Sequence, residues 1–258
     1  MRHEGLDEAI RAVGGVSELA RRIGIAQPSI SNWERVPADR VLAVEAATGV
    51  SRVRLRPDLY AEHHVTTVDE VDLARAREYA LLASLLSAAP SQALLNSLAR
   101  LRGDATPLGL AHAALAEAAD RVTQADAERE YFDLFIGVGR GELLPYGSYY
   151  LVGFLNERPL SRLRADLVRI GIERTDATCE PEDHAGILCE IMAGLAGGQF
   201  DAEPQAQRDI FQKHMTPWMG RLFADIENSP AATKFYRHVG ALGRVFLEIE
   251  REAFALGG

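Results

Sequence analysis

Five consecutive residues, Glu180-Pro181-Glu182-Asp183-His184, put three carboxylates and an imidazole at the entrance to a strongly apolar stretch. Such a set can move protons, hold a cation, or accept hydrogen bonds from a guest rich in N–H donors. A second polar-aromatic cluster, His214-Met215-Thr216-Pro217-Trp218, follows further along the chain.

Proton-transfer chemistry needs a nucleophile or a metal beside the acid and base, and the sequence offers neither convincingly. Ser148, His184 and Asp183 can be written as a triad, but no nucleophile-elbow sequence surrounds Ser148. Gly137-Val138-Gly139-Arg140-Gly141 follows a helical stretch and lacks the Lys-Ser/Thr of a phosphate loop, so it reads as a flexible loop. His63-His64 supplies two ligands where structural zinc takes four. If residues 180–196 are helical, Cys179 and Cys189 stand roughly 15 Å apart along the axis. A disulfide spans alpha carbons within about 7 Å, so two reduced thiols are expected. No catalytic set, metal site or cofactor is expected, and the protein reads as a non-enzyme.

The elements around the motif are helical. Taking 180–195 as a helix places His184, Leu188, Ile191 and Leu195 on one core-directed face. Glu180 and Asp183 then flank that face at its rim, and Cys189 points the other way. A carboxylate at a helix N-terminus is favoured, but a cap needs only one acid. Two readings stay open: a capped helix with a satisfied core histidine, or the polar floor of a groove that accepts donors from a peptide. Pro145-Tyr146-Gly147-Ser148-Tyr149-Tyr150 adds three tyrosines, suited equally to ordinary packing and to peptide contact.

The whole chain supports that helical frame. Its 258 residues are 47% hydrophobic and only 7% aromatic, a balance that favours helices over sheets. From Val68 onward, apolar residues recur at helical spacing, as in Leu73, Ala76, Tyr79, Ala80, Ala83 and Leu86. Prolines stand at or just before most of these runs. The expectation is all-α, with a bundle of eight to ten helices in this part. No apolar run is long enough to span a membrane, and the charged N-terminus does not resemble a secretory signal, so the cytoplasm is the expected location.

The first sixty residues read as a separate domain. Helices are expected over Leu6–Val13, Val16–Ile23, Pro28 to about Arg35, and from Pro37 to a stop at Gly49. Two short helices joined by a tight glycine-containing turn form a helix-turn-helix pattern. The outward residues of its second helix are Gln27, Ser29, Ser31, Asn32 and Arg35. Gln and Asn can read an adenine edge with paired hydrogen bonds, while Ser and Arg suit phosphates or guanine. A small dimerisation or docking module fits the same pattern. Residues 1–60 hold nine arginines against eight acids, whereas 61–258 hold nineteen bases against twenty-nine acids. The first part tolerates a polyanion and the second favours a basic partner. A polar linker, 61–69, separates the 1–60 domain from a 70–258 domain.

Two resemblances sharpen these readings. The run Leu19-Ala20-Arg21-Arg22-Ile23-Gly24-Ile25-Ala26-Gln27-Pro28-Ser29-Ile30-Ser31-Asn32-Trp33, with its tail from Arg35 to Tyr60, resembles the Cro/YdaS-like helix-turn-helix family. That implies sequence-directed DNA binding through residues 1–60, as a homodimer on a two-half-site operator. Further on, Glu130-Tyr131-Phe132-Asp133-Leu134-Phe135-Ile136-Gly137, then 144–150, 180–184 and Phe211-Gln212-Lys213-His214-Met215-Thr216-Pro217-Trp218 occur in that order. Together they resemble the TorD/DmsD-like family of redox-enzyme maturation chaperones over about residues 73–254.

The second resemblance implies an all-helical cytoplasmic chaperone. Its partner would be the precursor of a molybdenum-cofactor oxidoreductase, whose twin-arginine signal peptide it holds before export while assisting maturation. It carries Glu180, Pro181, Asp183 and His184 into the peptide-binding site, with Tyr146, Tyr149, His214 and Trp218 as groove lining. Arginine–carboxylate contacts shielded from water can be bidentate, and an apolar segment could enter a groove between helices. The helix-turn-helix and the glycine-rich loop after Phe135 depart from the family pattern. The alternative is a transcriptional regulator whose chaperone-like domain senses a different ligand.

Overall fold

A computed structural model describes residues 3–60, 69–173, 180–200 and 202–256, without the side chains of Asp58 and Tyr60. Cys179 and the expected linker, apart from Asp69, lie outside those residues. The regular structure among the described residues is helical, and the one isolated bridge pairs Tyr146 with His184. The all-α expectation therefore holds. Two compact units divide the chain between residues 65 and 66.

In the first unit, helices Glu4–Ala12, Val16–Ile23, Gln27–Ser31 and Val41–Thr48 surround a core of Leu6, Leu19, Ile30, Val36, Val41, Val44 and Leu55. Gly24 ends the second helix at φ 70°, a left-handed conformation that costs glycine little, and its N–H donates to Ala20 O. The third helix departs from expectation. It begins one residue before Pro28 and stops at Ser31, well short of Arg35. Trp33 N–H closes a tighter turn onto Ile30 O, and His3 N–H donates to Glu34 O at 2.8 Å, which holds that segment out of a helix. Val36, which precedes Pro37, is also disfavoured from helical geometry.

The second unit is built around helix Ala185–Ala196, nine of whose twelve residues are buried. Helix Glu70–Ser87 packs along it, and the long Tyr236–Leu256 helix packs on Met219–Asn228 and on Pro107–Arg121. Pro107, Pro159 and Pro204 sit in first turns, where their missing N–H costs nothing. Two expectations for the central helix need correction. It starts at Ala185 and not at Glu180, because residues 181–183 form a turn closed by His184 N–H to Pro181 O at 3.0 Å. Cys189 does not face outward: the helix is enclosed on nearly every side, and the thiol is fully buried. Burial raises its pKa and keeps it protonated.

Two buried carboxylates join distant segments. Glu130 accepts from the amides of Lys234, Phe235 and Tyr236 and from the Thr233 hydroxyl, and so caps the last helix. Glu250 receives a two-pronged contact from Arg75 at 2.8 and 2.7 Å, and the Tyr79 hydroxyl donates to it at 2.8 Å.

Candidate functional site

The motif acids are engaged by their own chain. Asp183 Oδ2 accepts from Ser148 N–H at 2.7 Å and from the Ser148 hydroxyl. The aspartate thereby caps helix Gly147–Val152 from across the chain. Backbone pairing secures the same junction, with Gly147 N–H on Asp183 O and Ala185 N–H on Pro145 O, both at 2.8 Å. Glu182 takes Arg164 Nε and a terminal guanidinium nitrogen at 2.9 and 2.8 Å. Glu180 accepts from the Tyr146 hydroxyl at 2.6 Å. Burial and then this contact raise the Tyr146 pKa. The expectation of acids standing free at a rim is thus corrected: Asp183 and Glu182 are buried, and only Glu180 is exposed.

His184 is the N-cap of the central helix, and its Nδ1 accepts from Gly186 N–H at 3.1 Å. That bond places the neutral ring's proton on Nε2. Burial lowers its pKa, opposed by the charges of Glu180 and Asp183. The Tyr146 ring meets it edge-on at 5.1 Å. Among the described residues no hydrogen bond links His184 to Ser148, so the nominal triad has no base on its hydroxyl.

The second cluster forms through a widened turn. Residues Phe211–Met215 are π-helical, with Thr216 N–H reaching Phe211 O at 2.9 Å. The Trp218 indole N–H donates to His214 O at 2.6 Å. Trp218 is 1% exposed and lies 5.4 Å from the Tyr150 ring. His214 Nε2 meets Asp166 Oδ2 at 2.8 Å.

Asp183, His214 and Trp218 line one groove of about 570 Å³, together with Gly147, Leu151, Leu163, Asp166 and Pro217. Its remaining charged lining is basic: Arg162, Arg169 and Lys213. The other expected residues lie elsewhere. Glu180, Tyr146 and His184 form a cluster beside the groove, and Pro181 sits in the preceding turn. Tyr149 stacks with Arg140, whose guanidinium carbon stands 5.2 Å from the ring centroid. Sequence reasoning set Ser148 beside Asp183 only as a triad it rejected, and it missed Arg164 and Asp166. It also missed the exposed apolar run Leu151, Val152, Phe154 and Leu155, with Phe154 70% exposed. The letters Leu-Val-Gly-Phe-Leu carried that signal, since Gly153 at φ 83° ends the helix there.

In the first unit, Gln27, Ser29, Ser31, Asn32 and Arg35 are all exposed. Gln27 Nε2 donates to Ser31 Oγ at 3.3 Å. On the preceding helix Arg21 and Arg22 both bind Glu18, holding its carboxyl down at about 2. No metal-holding group of His, Cys, Asp or Glu occurs among the described residues.

The described residues thus form an all-helical unit with a groove of about 570 Å³, preceded by a helix-turn-helix. Comparison with known proteins finds likenesses for both parts. Residues 101–224 match the family model described as nitrate reductase delta subunit, and residues 6–64 match that of bacterial toxin YdaS. The chaperone protein TorD of Vibrio cholerae is 31% identical over 105 residues, which cover 37% of this chain and 48% of the relative. TorD of Shewanella loihica is 24% identical over 203 residues, covering 70% of this chain and 92% of that one. A crystal structure described as a redox enzyme maturation protein, from Archaeoglobus fulgidus, is 21% identical with a TM-score of 0.45, covering 67% of this chain and 93% of that one. The chain spans about half the length of the first of these relatives. The larger unit is thus similar to TorD chaperones, and the first unit to the YdaS helix-turn-helix family. No described helix is long and apolar enough to cross a membrane.

Proposed function

We propose that the larger unit is a cytoplasmic, non-enzymatic chaperone domain. It binds the twin-arginine signal peptide of a molybdenum-cofactor oxidoreductase precursor and assists maturation before export. The observation that carries this reading is the exposed run Leu151, Val152, Phe154 and Leu155, continuous with the groove through Leu151. Apolar surface held in water beside a groove with a polar wall suits an extended guest with apolar side chains. Residues 1–60 read DNA in this proposal, and occupancy of the larger unit alters operator affinity. Peptide and operator must then alter each other's affinity by the same factor.

Calorimetry of the full chain with synthetic twin-arginine leaders tests the peptide reading, and saturable binding is expected. Absence of heat and of any competition with every leader tried would end it. For DNA, Gln27→Ala with Asn32→Ala should cost about 1–3 kcal/mol of discrimination per lost bidentate base contact. Retention that does not depend on salt in the unaltered protein argues instead for a docking module. The basic lining of Arg162, Arg169 and Lys213 favours the alternative, a regulator that senses an anionic ligand. A small anion that shifts DNA affinity where no leader does would select it.

A further inference from the structure

A second groove, of about 490 Å³, is bounded by residues of the Arg158–Arg169 and Ala185–Ala196 helices. Its apolar lining comprises Leu167, Val168, Ile172, Ile187, Ile191 and Phe200. Val168 is 67% exposed there. Glu173, Glu182 and Glu190 stand along it, with Arg164 the one cation among the described lining residues. Arg164 is bound to Glu182, which leaves Glu173 and Glu190 exposed and without an ion pair among the described residues.

The charge pattern is opposite to that of the first groove. There Asp183 is committed to Ser148, and Asp166 is shared between Arg169 at 2.6 Å and His214 at 2.8 Å. Arg162 has no acidic partner among the described residues. Lys213 is likewise paired with Asp209 at 2.6 Å, so the first groove offers a cation no uncommitted carboxylate, whereas the second offers two. The two grooves share a wall. Adjacent motif residues line one each, Asp183 the first and Glu182 the second.

We propose that the apolar, arginine-bearing segment of the signal peptide docks in this second groove, with Glu173 and Glu190 facing its guanidinium groups. The proposal rests on the peptide reading above: it seats the arginine-bearing segment in the second groove and leaves the exposed Leu151, Val152, Phe154 and Leu155 run to the rest of the guest. The apolar floor takes the uncharged segment, and the carboxylates give the arginines paired, planar acceptors. The Glu180–His184 motif then acts mainly by holding the shared wall in shape.

The test titrates a fluorescently labelled twin-arginine leader into the full chain, into Glu173→Lys with Glu190→Lys, and into Arg162→Glu. Both glutamates are exposed, so the double variant should keep the parent circular dichroism spectrum. Its affinity should fall about tenfold, by loss of two contacts and gain of two repulsions. That loss should shrink when glutamine replaces both peptide arginines, and as salt is raised. Arg162→Glu should change affinity less than twofold. Parent affinity in the double variant, with a marked change in Arg162→Glu, places the peptide in the first groove and overturns the assignment alone. No binding of any leader to the unaltered protein overturns the peptide reading as well. Self-association that disappears in the double variant while peptide affinity holds assigns this groove to a second copy and also overturns the proposal.

Discussion

Replacing Asp183 separates a motif acid that shapes the fold from one that only touches a guest. Its carboxylate is 4% exposed and holds both the amide and the hydroxyl of Ser148. A hydrogen bond to a charged group contributes about 1.5–3 kcal/mol, and a buried donor left unpaired costs about 1–3 kcal/mol. Asp183→Ala removes both bonds and strands the Ser148 amide at a helix start, so a loss of about 3–5 kcal/mol is expected. Asp183→Asn keeps an acceptor oxygen and loses only the charge, for about 1–2 kcal/mol. Ser148→Ala removes the hydroxyl and leaves the amide bond, for about 1 kcal/mol. Trp33 and Trp218 are the only tryptophans, so a Trp33→Phe background makes emission report on the site itself. Urea unfolding in that background gives each difference directly. If Asp183→Ala unfolds within about 0.5 kcal/mol of its parent, as a neutral surface change does, the capping role is wrong. A true cap also means that weakened peptide binding in Asp183 variants reflects a distorted wall, unless the folded fraction is measured at the same time.

Two further predictions concern buried polar groups. His184 caps a helix through a lone pair on Nδ1, and burial lowers its pKa from the ordinary 6.5. The unfolded chain therefore takes the proton first, so this group's stabilisation is full above pH 6.5 and is lost as pH falls from there through the lower folded value. His184→Asn keeps a good cap without titrating, and its melting temperature should fall less than the parent's between neutral and mildly acid pH; parallel curves would refute this. Glu130→Gln replaces the carboxylate that holds three amides at the start of the last helix, and should cost about 2–4 kcal/mol. Amide exchange at Phe235 and Tyr236 should accelerate well beyond that of the helix middle, and unchanged protection there would show that the cap is dispensable.

Much of the helical frame was legible from neighbouring residues. Val16–Ile23 lies between Gly15 and Gly24, as the glycine signals require. Pro107, Pro159 and Pro204 open helices for a local steric reason. Even so, two boundaries near the sites shifted. The third helix of the first unit stops at Ser31 because backbone bonds from Trp33 and His3 close the next turn differently. The central helix starts at Ala185 because residues 181–183 are drawn into pairing with 145–148. In both places a contact from elsewhere in the chain outweighed local propensity.

The sequence by itself determined the all-helical class, the helix-turn-helix pattern and the order of motifs that the family comparisons match. Those rest on periodicity, turn residues and short runs of letters, which operate over a few positions. Only the tertiary structure decided what each acid does. Asp183 meets Ser148 across 35 positions, Glu130 reaches the Tyr236 amide across 106, and Arg75 meets Glu250 across 175. A carboxylate looks the same in a sequence whether it is buried under donors from its own chain or left in water for a guest. Its desolvation and its partners are set by segments far along the chain, so the free glutamates beside the second groove became visible only once the helices had packed.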